Sequence, residues 1–360
     1  MPLPTAARRD ALRALLRKAD LDGLLVTDLV NVRYLTGFTG SNAALLLSAV
    51  DDAASRFGTD GRYTSQAATE VPDLPPVIER STAVALASRA TGRIGFESDA
   101  VTVDAHAALV SAAEGATLER APGLVQRLRV IKDDTELAAL RRACAVADTA
   151  LTDLIAEGGI RPGRTEREVA LDLETRMRAL GADGPSFESI VAAGAHSAIP
   201  HHSPTEAVLQ AGDLLKLDFG ALVAGYHSDM TRTLVLGPPA DWQRELYELV
   251  HAAQAAGVEA VAAGTATSAV DAASRDVIAD AGRGPEFVHG LGHGVGLEIH
   301  EAPALSATSA DVLAAGMAVT VEPGVYLAGL GGVRIEDTLV VRGAGPAELL
   351  TGFPKELQEV

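Results

Sequence analysis

The chain has 360 residues, more than one hydrophobic core usually organises, so its length predicts two domains. With 48% hydrophobic and 22% charged residues, and only 35 glycines and 17 prolines, the composition is that of a folded globular protein and excludes a collagenous or disordered one. The net charge of -18 argues against a nucleic-acid backbone or an anionic membrane surface as partner, since both call for basic patches, and it suits a carboxylate-rich cation site.

Taken in order, the chain opens on apolar residues at helical spacing from Leu3 to Ala19, stopped at Asp20-Leu21-Asp22-Gly23. Leu24-Leu25-Val26 reads as a buried strand, Asn31 to Leu35 as a helical turn, Ala43 to Leu47 as a second strand and Thr59 to Tyr63 as a turn into a helix. Helical patterns at Ser81 to Ala90 and Val103 to Ala113 then alternate with strands at Arg93 to Phe96 and Thr117 to Glu119. Such alternation predicts an α/β domain. Pro122-Gly123 breaks the pattern ahead of a bridging helix, and the charge shifts here: residues 1–127 are near neutral and residues 128–360 carry almost all the negative charge. We therefore expect a smaller N-terminal α/β domain over 1–127 and a second, acidic domain of mixed helices and strands over 128–360.

In the second domain Asp133 to Ala156 predicts a long amphipathic helix, and Thr165-x-x-Glu168 is a capping box that opens another, to about Leu180. Two more helices are expected near Asp241 to Ala262 and Ser268 to Asp280. Cys144, the single cysteine, excludes an internal disulfide and a cysteine-based zinc site, and its apolar helical setting makes it a core residue. The N-terminus lacks the apolar core of a signal peptide and no run of about 18 apolar residues occurs, which leads us to expect a cytoplasmic protein.

Chemistry concentrates at Val288 to Pro303, V-H-G-L-G-H-G-V-G-L-E-I-H-E-A-P, where His289, His293 and His300 alternate with four glycines. Each interior glycine costs a helix about 1 kcal/mol against alanine, so this run is expected as loop or extended chain. A lone histidine usually satisfies a backbone group; three of the chain's nine in twelve residues point to metal ligation or proton transfer. The glycines are expected to let the backbone approach bound metals and peptide.

Two hairpins add carboxylates. Leu214 to Gly220 alternates, putting Lys216 and Asp218 opposite an apolar face, and Asp229 follows in a second strand. A hairpin with its tip at Val223-Ala224-Gly225 would place Asp218 and Asp229 nearly opposite each other. Met317 to Glu322 and Gly332 to Val341 form a second hairpin, whose turn through Gly329 to Gly332 brings Glu322 and Glu336 together. Like charges facing each other in a ladder repel, so a cation between them is implied. Four carboxylates and one imidazole match the charge of two divalent ions, and oxygen-rich ligation favours Mn²⁺ while leaving Co²⁺, Fe²⁺ and Zn²⁺ open. Paired metals of this kind activate water and polarise a carbonyl, which is the chemistry of hydrolysis.

Asp218, Asp229, His293, Glu322 and Glu336, within L-D-F-G-A, S-D-M-T-R-T, H-G-L-G-H-G-V-G-L-E-I-H-E-A-P, V-E-P-G-V-Y and V-R-I-E-D, resemble in type and order the five metal ligands of the pita-bread metallopeptidases. The N-terminal stretch N-V-R-Y-L-T-G-F-T-G-S-N at Asn31 to Asn42 is similar to the extra domain of the proline-specific branch, which methionine aminopeptidases lack. The resemblance implies an α+β pita-bread domain behind the N-terminal domain, a homodimer, and cleavage of the Xaa-Pro bond. It also implies substrate-facing roles for His201, His289 and His300, proton transfer through Glu322, and an orienting role for Arg334; His202 is left ambiguous. A dipeptidase (prolidase) is the first expectation, aminopeptidase P the alternative. A metal-free creatinase-like hydrolase and a non-enzymatic binding protein are the more distant ones.

Overall fold

The computed structural model describes residues 3–360. The chain divides into two compact units, one ending at Arg129 and the other running Val130–Val360.

In the first unit the opening helix forms over Thr5–Lys18 and buries Leu12 and Leu16. A six-stranded sheet follows, in the spatial order 76–78, 56–59, 43–48, 23–26, 92–96, 116–120. It is mixed: Gly23–Val26 runs antiparallel to Ala43–Ser48 and parallel to Gly92–Phe96. Helices Thr82–Ala87 and Val103–Ala112 help to enclose a core around Leu25, Leu46, Leu86, Ile94 and Leu109. The strands Arg56–Thr59 and Pro76–Ile78 were not expected from the sequence. Each is only three or four residues long. Pro76 starts a strand at the sheet edge, where a missing N–H costs nothing, and in the sequence it reads as a breaker.

The second unit contains the same motif twice, two helices packed on an antiparallel hairpin. Helices Asp134–Ala156 and Glu166–Ala179 begin with complete capping boxes, at Asp133/Glu136 and Thr165/Glu168. They bury Cys144, Leu151, Leu154, Leu173 and Met177. Strands Ile190–Ala193, Leu214–Phe219 and Met230–Val235 form the sheet beneath, and Leu215, Leu217 and Phe219 point into this core. Helices Asp241–Ala260 and Thr267–Asp280 cover a second core, built from Val319, Val321, Val325, Val333 and Leu339. Its sheet has the order 301–305, 292–294, 318–321, 337–340, 348–349. This doubled helix-and-hairpin layout is the pita-bread arrangement implied by the sequence resemblance.

The two hairpins are stitched along the strand Met230–Val235. Glu336 N–H donates to Thr231 O at 3.0 Å, the Thr233 hydroxyl donates to Arg334 O at 3.0 Å, and the Thr338 hydroxyl donates to Asp229 O at 2.8 Å. The polar faces of both hairpins therefore meet in the interior. That meeting, between two apolar cores, positions the site.

Candidate metal centre and active site

The first hairpin turns where expected, through Ala224 (φ 51°) and Gly225 (φ 82°). Its register differs from the expectation. Asp218 pairs with Thr231, so Asp229 sits two residues before Asp218's partner and the two carboxylates are diagonal neighbours on one face. The main chain folds tightly between them: a Cβ at Gly220 would lie 1.8 Å from Ser228 O, so only glycine fits. The second hairpin keeps its expected pairing. Val321 faces Asp337 and Gly324 faces Arg334, which puts Glu322 across from Glu336 in the gap between two ladders.

The Gly/His run enters as the short strand Gly292–Gly294, bulged between His293 and Gly294. Its glycines have a different reason from the expected one. A Cβ at Gly292 would meet Thr320 O at 2.1 Å and one at Gly294 would meet Ala302 O at 2.2 Å, so they make room for neighbouring main chain rather than for metals or peptide.

His293 has its Nδ1 3.0 Å from Gly294 O, which assigns the proton to Nδ1 and leaves the Nε2 lone pair facing Asp229 Oδ2 at 3.5 Å and Glu322 Oε1 at 3.3 Å. These separations exceed the 2.7–2.9 Å of a good charge-assisted hydrogen bond and suit an ion held between the donors. Ligand atoms of Asp229, His293 and Glu336 all lie within 4.8 Å of one another. Asp218 Oδ1 is buried with no hydrogen-bond partner, an arrangement costly for a carboxylate unless it has a cation to bind. The donor set therefore fits a divalent metal centre.

The electrostatics agree. Burial raises the Asp218, Asp229 and Glu336 carboxyls above their ordinary values, and neighbouring carboxylates push in the same direction. Burial pushes Glu322 up as well, but with no ion between them His293 takes up a second proton on Nε2, and its hydrogen bond and charge hold Glu322 at about 2. A site that strains three carboxyls toward neutrality in the absence of metal is one that a cation relieves.

Arg334, fully interior, joins these groups. It donates from Nη2 to Asp218 Oδ2, from Nε to Thr231 Oγ1 at 2.9 Å, and from Nη1 to Tyr326 Oη at 2.9 Å and Pro200 O at 3.2 Å. The Thr231 hydroxyl donates its own hydrogen bond to Glu336 Oε2 at 2.7 Å. Tyr326 in turn donates to His289 Nε2 at 2.8 Å, while His289 Nδ1 donates to Gly290 O at 2.8 Å. Burial lowers the His289 pKa, and burial together with the charge of His293 lowers that of His300. His300 stacks edge-on against His293 with centroids 4.3 Å apart. A cavity of about 450 Å³ opens over the centre, and all nine residues singled out in the sequence line it: His201, Asp218, Asp229, His289, His293, His300, Glu322, Arg334 and Glu336.

Residues 138–343 match metallopeptidase family M24, and residues 8–131 match the creatinase/prolidase N-terminal domain. The chain belongs to metallopeptidase family M24. This M24 peptidase is 42% identical to an uncharacterized peptidase of Bacillus subtilis strain 168, over 97% of its own length and 98% of that relative's. The solved Xaa-Pro dipeptidase from Bacillus anthracis superposes with a TM-score of 0.94 at 40% identity, covering 99% of this chain and 100% of that one. An X-Pro aminopeptidase from Thermotoga maritima MSB8 superposes with a TM-score of 0.89 at 31% identity, covering 98% and 99%. No helix among the described residues of the peptidase is long and apolar enough to cross a membrane.

Sequence reasoning missed Thr231, Tyr326, Lys216 and Glu166 as parts of the site's support. The first two lie inside quoted motifs and went unassigned because a hydroxyl has no signature of its own. A second group with donors in reach of a metal, Glu166, His196 and His202, was foreshadowed only by the capping box at Thr165 and by His202, which the resemblance left ambiguous. Here the distances tell against an ion. His196 Nδ1 and His202 Nε2 sit at 2.9 and 2.8 Å from the two Glu166 oxygens, ordinary hydrogen-bond lengths, and the carboxylate accepts from Ala193 N, Thr205 N and Thr205 Oγ1 as well.

Proposed function

We propose that this M24 peptidase is an Xaa-Pro dipeptidase whose two divalent ions are held by Asp218, Asp229, His293, Glu322 and Glu336. The observation that carries the reading is the convergence of four carboxylates and one correctly oriented imidazole, with Asp218 Oδ1 buried and unpartnered. Hard oxygen donors make Mn²⁺ the first choice, ahead of Co²⁺, Fe²⁺ and Zn²⁺. Paired ions, when bound, act as Lewis acids on the scissile carbonyl and activate water near neutral pH. Glu322 is the most exposed of the four carboxylates, so it is placed to accept the proton of the attacking water and return it to the leaving nitrogen. His201 and His300, on the open side of the cavity, stabilise the developing oxyanion. His289 borders the proline ring and is fixed by Tyr326, which Arg334 orients. Similarity to the Bacillus anthracis dipeptidase along the whole chain supports the substrate class; homodimer formation belongs to this reading through the sequence resemblance to the proline-specific branch alone. No nucleic acid or anionic membrane as partner accords with the net charge of -18; a cytoplasmic location is part of the same proposal.

Aminopeptidase P activity is the second reading, favoured by the likeness to the Thermotoga maritima enzyme. Parallel assays of Xaa-Pro, Xaa-Pro-Yaa and Xaa-Ala peptides with Mn²⁺ or Co²⁺ added decide between them. Turnover of Xaa-Pro dipeptides is expected; activity on tripeptides alone would replace the dipeptidase reading with the second. Protein purified without chelator that carries no stoichiometric divalent ion, and gains no activity from added metal, would remove both.

A further inference from the structure

Glu166 is a heavily hydrogen-bonded carboxylate that the proposed chemistry does not use. It is the first residue of helix Glu166–Ala179, has no solvent exposure, and touches none of the five proposed ligands. Oε1 accepts from Ala193 N and His196 Nδ1, both at 2.9 Å; Oε2 accepts from His202 Nε2 at 2.8 Å, Thr205 N at 3.0 Å and Thr205 Oγ1 at 2.7 Å. The His196 and His202 rings lie against each other with centroids 4.4 Å apart. One buried carboxylate thus gathers four points along residues 193–205, the segment that carries His201.

That segment is held from its other side as well. Lys216 Nζ donates to Ile199 O at 2.6 Å and Pro200 O at 3.1 Å, and Arg334 also donates to Pro200 O. His201 lies between the two anchor points. Among the described residues its ring makes no hydrogen bond of its own, so the main chain on either side decides where it points, and it points into the cavity.

We infer that Glu166 is a positioning residue for the peptidase reaction, which fixes His202 and Thr205 and through them aims the His201 imidazole at the substrate carbonyl. The inference rests on the role proposed above for His201. A carboxylate is required here because five donors converge on two oxygens. Glutamine, with one oxygen and an NH₂ group, accepts from one side only and presents protons to donors on the other.

The test is a kinetic double-mutant cycle on the Mn²⁺-loaded enzyme with Ala-Pro as substrate, combining Glu166→Gln and His201→Ala. Glu166→Gln is expected to lower kcat by about 10–100-fold, the usual effect of removing a partner that orients a reacting group, with KM and bound metal little changed. In the His201→Ala background the same substitution should cost less than about 2-fold. If His201→Ala impairs turnover and the two losses multiply, Glu166 does not act through His201 and the inference falls while the role of His201 stands. If His201→Ala is harmless, both fall. Should Glu166→Gln fail to fold, Thr205→Val removes one of the five donors and keeps side-chain volume. It must show a smaller kcat loss that also disappears without His201, and an undiminished loss there overturns the inference.

Discussion

Thr231→Val tests whether the metal centre is held in shape by one hydroxyl. Thr231 has no solvent exposure, accepts from Arg334 Nε at 2.9 Å and donates to Glu336 Oε2 at 2.7 Å, and both partners are only 2% exposed. Valine has nearly the same volume, so no cavity opens and the loss is that of the two bonds. A hydrogen bond to a charged group contributes about 1.5–3 kcal/mol, which puts the pair near 3–6 kcal/mol before relaxation. Arg334 retains its other partners and Glu336 would retain the proposed metal, so about 3–4 kcal/mol is the expected loss. For a unit of this size each kcal/mol moves Tm by about 2–4 °C, giving a drop near 6–16 °C in calorimetry with Mn²⁺ present. Mn²⁺ affinity should weaken about 10–100-fold, because Glu336 loses the group that orients it. Thr231→Ser, which keeps the hydroxyl, should recover most of both effects. A Tm within about 2 °C of the wild type with unchanged Mn²⁺ affinity would refute the idea that this hydroxyl organises the centre.

Three further outcomes follow from the same geometry. Asp229→Asn should abolish activity without harming the fold: burial and the Glu336 charge raise the Asp229 pKa in the folded protein, so its contribution to stability is present below about pH 3.8 and lost as pH rises through the folded value. In chelator at pH 7 the variant should melt no lower than wild type, while the Tm gain on adding Mn²⁺ disappears; retained activity at normal metal content contradicts this. Glu166 behaves in the opposite sense, since burial is outweighed by its donors and its pKa falls to about 2; its stabilisation, about 2–3 kcal/mol, is present above pH 4.5 and lost as pH falls toward 2. Urea titrations at pH 5.5 and 3 should therefore show a smaller acid loss for Glu166→Gln than for wild type, and equal losses would show that the carboxylate is not stabilised by its setting. Gly220→Ala must push Ser228 O away from a Cβ that would sit 1.8 Å from it, so we expect a Tm loss of several degrees and weaker Mn²⁺ binding by calorimetric titration; a variant with wild-type Tm and affinity would mean that the Gly220–Ser228 approach is not needed.

Much of the site was legible because its chemistry is carried by residue types that are rare in combination. Three histidines among four glycines, two acid-bearing hairpins and the turn at Ala224–Gly225 give the nine residues that line the cavity, and alternation alone puts Lys216 and Asp218 on the polar face of their strand. Helices announced by their caps, at Asp133 and Thr165, formed where read because capping is a local interaction. What the sequence left undecided depends on where separate segments meet. One difference is local: the first hairpin closes as a two-residue turn that pairs Val223 with Tyr226, and the same register carried down the strands makes Asp218 and Asp229 diagonal instead of opposite. Thr231 and Tyr326 join the site across 105 and 37 residues of chain, through partners on other strands. The role of Glu166 exists only because tertiary folding delivers five donors from residues 193–205 to one helix N-terminus. Local periodicity and residue chemistry determine which side chains take part; the distances between them, and hence which oxygen is left free for a metal, are fixed by the packing of the two hairpins between their cores.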